Sequence, residues 1–146
     1  MSLDLRREEI EARRAARKAE LASARAEQEV ADLEAFDALE VEHGDGAVAS
    51  LSVERYVKGQ PTMIVVRAPS AAQYKRFVDQ VGKAVEKNNM SARRGAQDLL
   101  AESCWVYPAS PEARKAMLAE FPGLLVSIAV KASQLVEAKA VEEGKD

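Results

Sequence analysis

Reaction chemistry in this chain of 146 residues would have to be built on one histidine, His43, and one cysteine, Cys104. Nucleophilic catalysis by a Ser/His/Asp or Cys/His pairing needs a base beside the nucleophile and a third group to orient that base. His43 is the sole imidazole for such a role, and it begins the stretch His43-Gly-Asp-Gly46, where it reads as a turn residue. Cys104 stands beside Trp105 among apolar neighbours, a setting in which cysteine acts as a small buried hydrophobe. A lone cysteine excludes an intramolecular disulfide framework and a multi-cysteine metal site, and a reducing compartment is its simplest setting. Gly44 and Gly46 join two extended runs, not a strand and a helix, so they do not make a phosphate-cradling loop. The expectation is a chain without enzymatic activity, cofactor or metal.

Binding is better represented. Trp105 and Tyr107 flank Val106 just before Pro108, and alternation points both rings the same way, either to pack a corner or to serve as an exposed anchor for a partner. Between Arg67 and Arg94 the chain is locally basic: Arg67, Lys75, Arg76, Lys83, Lys87, Arg93 and Arg94 face only Asp79 and Glu86. Arg67, Lys75, Arg76, Lys83, Arg93 and Arg94 form a candidate basic patch. The net charge of −3 argues against a surface that tracks phosphates throughout. The aromatics of the basic segment, Tyr74 and Phe77, fall on an apolar stripe and do not interleave with the cations. A solvated face or an acidic partner suits these charges better than nucleic acid.

Residues Leu3 to Leu39 lack glycine and proline and are rich in Ala, Glu, Arg, Leu and Lys, which predicts one long helix. Its heptad seam is mostly alanine, a weak coiled coil, so the helix reads as a solvated arm anchored near Val30, Leu33 and Phe36, or as an oligomerising or partner-binding helix. Leu39 and Val41 alternate with Glu40 and Glu42, Val48 to Val53 alternate again, and Thr62 to Val66 form a buried-type run after Gly59-Gln60-Pro61. These predict a small three-stranded antiparallel sheet.

Ser70 and Gln73 make a capping box that opens a helix to about Glu86, striped by Tyr74, Phe77, Val78, Val81 and Val85. A further helix is expected from Ser91 to about Glu102, and Ser110-Pro111-Glu112 starts a short one ending at Glu120. After Phe121-Pro122-Gly123 a last helix carries Leu124, Leu125, Ile128, Ala132, Leu135 and Val136 inward. The fold class is therefore α+β and mostly helical, with a long N-terminal helix, a small antiparallel sheet and a C-terminal four-helix module. The expected divisions are an arm at 1–37, a compact domain at 38–137 and a charged, fraying tail at 138–146. The charged N-terminus and the lack of a run of about 18 apolar residues predict a soluble cytoplasmic product that uses no membrane.

The order of Val65-Val-Arg-Ala-Pro69, a helix, Leu99-Leu-Ala-Glu-Ser-Cys-Trp-Val-Tyr-Pro108, a short helix and Phe121-Pro-Gly-Leu124 before a terminal helix resembles the tail assembly chaperones of tailed bacteriophages and prophages. The resemblance covers roughly residues 60 to 137, and the long helix from Leu3 to Leu39 departs from it. It implies a non-enzymatic, largely helical protein of the bacterial host cytoplasm that keeps a tape measure protein soluble until tube subunits polymerise around it. An apolar groove lined by Trp105, Leu124 and Ile128, with Tyr107 beside it, would grip that partner. Two other functions fit the same residues: a structural virion subunit, such as a head–tail connector, baseplate or scaffold-like component, and a small nucleic-acid-binding regulator. Self-association is left open.

Overall fold

With no glycine or proline before Gly44, nothing stops the first helix early. In the computed structural model, α1 spans Leu3–His43, 41 residues, or about 60 Å of helical rise. Residues 2–144 are described, with side chains described through residue 138. Ser2 caps the start by accepting from the Leu5 amide. Gly44 ends the helix at φ +99°, a conformation that costs glycine nothing.

The segment expected to be a first strand, Leu39 to Glu42, is thus the last turn of α1. An alternating strand would bury Leu39 and Val41 together, but Leu39 is half-buried with Ala35 and Phe36 while Val41 is 81% exposed, which is helical spacing. The anchor also differs from expectation. Val30 and Leu33 are exposed, and the inward stripe runs through Ala24, Gln28, Asp32, Phe36 and Leu39, with Asp32 buried.

The sheet is three-stranded and antiparallel, with a different membership from the one predicted. It consists of β1 (Val48–Ser52), β2 (Met63–Arg67) and β3 (Trp105–Tyr107), in the order β1-β2-β3. Four helices follow the first two strands: α2 (Ala71–Glu86), α3 (Met90–Cys104), α4 (Pro111–Glu120) and α5 (Leu124–Gly144), with β3 between α3 and α4. The Ser70–Gln73 capping box forms, and Ser110 caps α4 with proline in its first turn. Of the segment expected to fray, residues 138–144 continue α5, and 145–146 lie outside the described residues.

Successive side chains of a strand point to opposite faces. Ile64 and Val66 enter a core with Leu100, Cys104, Met117 and Ile128, beneath α3 and α5. Val65 points to the other face, which α1 covers. The layers run α1, sheet, α3 with α5, and then α2, whose principal neighbour is α3. An outermost helix held from one side cannot bury a broad stripe. On α2 only Ala84 is buried, while Val78 and Val85 are 48% and 58% exposed.

Among the described residues, no single helix is long and apolar enough to cross a membrane.

Candidate protein-docking surface

Trp105 and Tyr107 do not point the same way. Trp105 pairs with Val66 and Tyr107 with Val65, adjacent residues on opposite faces of β2, because the β2–β3 register shifts at that point. Trp105 therefore enters the core at 3% exposure, where its indole N–H donates to the Tyr107 carbonyl at 2.8 Å. The Arg114 guanidinium lies 5.4 Å from its ring centroid and donates to the Pro108 carbonyl at 2.6 Å. Ile128 is fully buried as well. A groove lined by Trp105 and Ile128 is thus not on the surface, because both residues are spent on packing. Of that set, Leu124 is half-buried and lines a hollow with Phe121 and Leu51.

Tyr107 turns toward α1, where it joins a cluster that sequence reasoning missed. Its hydroxyl donates to Oδ1 of Asp32, which also accepts from Gln28 Nε2 at 2.9 Å. Oδ2 of Asp32 accepts from the Thr62 amide at 2.7 Å and from the Thr62 hydroxyl. Burial by itself would raise the Asp32 pKa, but the bonds from Thr62, Tyr107 and Gln28 outweigh it and hold the carboxyl below its ordinary value. Burial, then the Asp32 bond and charge, push the Tyr107 phenol up. This is a latch that fastens the long helix to β2 and β3. One of three aspartates in a helix full of glutamates, Asp32 gives no sequence signal for it.

The candidate basic patch divides. The Arg67 guanidinium is tied to Ser103 O at 2.7 Å, Ala68 O at 3.1 Å and Gln73 Oε1 at 3.2 Å, so it braces β2 against α2 and α3. Lys75, Arg76 and Lys83 are exposed on α2, and Arg93 and Arg94 are exposed on α3. Arg76, Lys83 and the neighbouring Lys87 border a groove between the two helices. The groove joins hollows of ≈390 Å³ and ≈100 Å³ that share Gln80, Ala96 and Leu99. From Gln73 to Lys87 it follows α2 for about 20 Å. Its floor is apolar and mostly small: Phe77, Ala84, Ala92, Gly95, Ala96 and Leu99, the last 50% exposed. Among the described residues, no carboxylate lines it. Among the described residues, its three cations form no ion pair. Small floor residues let another helix approach closely, and a one-sign rim selects the charge of what approaches.

Gly95 keeps the floor open, since a Cβ there would meet nothing within 4 Å. Gly95→Ala should raise the unfolding free energy by about 0.5–1 kcal/mol in urea titration, as expected for alanine replacing glycine inside a helix. Gly95→Trp should fold equally well but fill the groove.

Cys104 and His43 lie in different settings. Cys104 is enclosed in the core, where burial pushes its thiol pKa up and the Arg67 charge offsets part of that rise. His43 is exposed on the last residue of α1. Among the described residues, no cluster of His, Cys, Asp or Glu could hold a metal ion. Compared with known proteins, the chain matches no family model, and no curated protein or solved structure is significantly similar to it.

Proposed function

We propose that this chain is a non-enzymatic binding protein of the tail assembly chaperone type, acting in the bacterial host cytoplasm, that holds amphipathic helix from a tape measure protein in the α2–α3 groove. The observation that carries this reading is the groove itself, apolar along its floor, bordered by Arg76, Lys83 and Lys87, and lined by no carboxylate among the described residues. The order of motifs from Val65 to Leu124 supports it from the sequence side.

A tape measure is a long helical chain whose apolar stripe aggregates when bare. A groove about four turns long suits one stretch of such a helix, with acidic residues flanking its apolar side against the cations. Many copies along one tape would hold it by avidity while each remained displaceable. Co-expression with the large helical phage protein encoded nearby tests the reading. The two should co-purify, and that protein should become soluble only in this chain's company. Failure to bind, with the tape measure equally soluble alone, overturns it.

One observation favours the structural-subunit reading. Residues 3–23 of α1 are exposed throughout, a rod of about 30 Å able to wedge between neighbours. Mass spectrometry of purified particles separates the two, since a chaperone is absent from them and a subunit is present at fixed stoichiometry.

A further inference from the structure

β1 is one of the two edges of the sheet, since in the order β1-β2-β3 it pairs with β2 alone, and it is the longer of the two edge strands. Two bonds fix which of its backbone groups are used. The Ala68 amide donates to Ala47 O and the Val53 amide to Thr62 O, each at 2.8 Å. Odd-numbered residues from Ala47 to Val53 therefore turn their N–H and C=O toward β2, and the even-numbered Val48, Ser50 and Ser52 turn theirs outward. Ser50 and Ser52 are exposed, and among the described residues nothing bonds to their outward amides and carbonyls. Edge strands are ordinarily blunted by lysine, proline, a bulge or a covering loop. Val48-Ala-Ser-Leu-Ser-Val53 has no charge and no proline, and its register with β2 is unbroken.

We propose that this edge is self-complementary, and that two copies of the chain pair antiparallel about Leu51 to form one continuous six-stranded sheet. The residues around Leu51 have the same character in both directions, with serine on either side and then Ala49 and Val53. In such a pair, Ser50 of one copy faces Ser52 of the other, and their outward groups exchange main-chain bonds twice, four bonds in all. Leu51 meets its own counterpart in the non-hydrogen-bonded position, where side chains come closest. Ala49 faces Val53, Glu54 faces Val48 and Arg55 faces Ala47, so no like charges oppose one another. Leu51 also borders the hollow of ≈630 Å³ that contains Phe121 and Leu124. The second copy's Leu51 projects on that same side of the extended sheet, which adds apolar burial to a ladder too short to suffice by itself. A foreign extended peptide could use the outward groups but would not supply this reciprocity.

Sedimentation equilibrium of the full chain across the micromolar range tests the proposal. The wild type should be dimeric. Ser50→Pro removes only an outward amide, a position where an edge strand tolerates proline, and should weaken the dimer by about tenfold or more. Ser50→Lys leaves the β2 ladder intact and should have the same effect if the proline variant folds poorly. Circular dichroism should be unchanged in whichever variant is used. Leu51→Cys should give a disulfide-linked dimer on oxidation. A monomer at every concentration, a dimer of unchanged strength in both Ser50 variants, or a monomer that takes a foreign extended peptide along β1 would each overturn it.

Discussion

Replacing Asp32 with alanine should lower the unfolding free energy by about 3 kcal/mol, the largest loss expected from any single substitution discussed here. The carboxylate accepts from Gln28, from the amide and hydroxyl of Thr62 and from the Tyr107 hydroxyl, joining α1, β3 and the residue just before β2. Truncation strands the buried Thr62 donors outright, while Gln28 and Tyr107, half-buried, recover part of their loss from water. Among the described residues no cation pairs with Asp32, so the effect is one of hydrogen bonding and not of a broken ion pair. Asp32→Asn keeps the shape and one acceptor but turns an amide N–H₂ toward donors, and should lose about half as much. Urea titration measures both. Hydrogen exchange in the Asp32→Ala variant should rise along residues 24–39 of α1, which the latch fastens to the sheet. A change of under about 0.5 kcal/mol for the alanine variant would mean that the cluster does not fasten the helix.

The same carboxylate sets a pH dependence whose sign follows from its pKa. The folded value lies below the ordinary 3.8 because the donors outweigh burial. Unfolding then raises the affinity for a proton, so the contribution is complete above the unfolded value and is lost as pH falls through the folded one. The stability difference between wild type and Asp32→Asn should be flat from neutral pH to about 5 and shrink below about 3.8.

The second large effect concerns binding. Reversing Lys83 and Lys87 together to glutamate should weaken association with the proposed tape measure partner by about 30–100-fold at low salt, without loss of fold. Both side chains are exposed and, among the described residues, unpaired, so the change costs the free protein only the few tenths of a kcal/mol, roughly, that cations contribute at the C-terminal end of α2. The groove would then present carboxylates to the acidic flanks of the incoming helix. Wild-type affinity should decline as salt is raised, and the variant's salt dependence should be flatter or reversed. Equal affinity in calorimetry would remove the cationic rim from the account.

Much of this architecture was legible in the residues. The Ser70–Gln73 box, the Ser110-Pro111 start and the Phe121-Pro122-Gly123 break mark helix boundaries by local hydrogen bonding and backbone restriction, which tertiary contacts do not override. The alternation at Leu39 to Glu42 misled because four residues satisfy a period of two by chance, while the helix entering them had no glycine until Gly44. Trp105 to Tyr107 escaped as a strand because three residues carry no periodicity, and the register shift that separates the two rings depends on β2. The basic segment was visible, but its division into a bracing Arg67 and a groove rim was not. That division depends on α2 being the outermost layer, which no local pattern encodes. Asp32 was hidden for the same reason, since Thr62 and Tyr107 lie 30 and 75 residues from it.

The most direct test of the central claim is hydrogen exchange on the full chain, alone and with the co-expressed tape measure protein. Protection should gather on residues 73–86 of α2 and 92–103 of α3, and Gly95→Trp should abolish it. Protection confined to the exposed half of α1, or no protection at all in a chain that remains bound, would contradict the groove as the gripping surface.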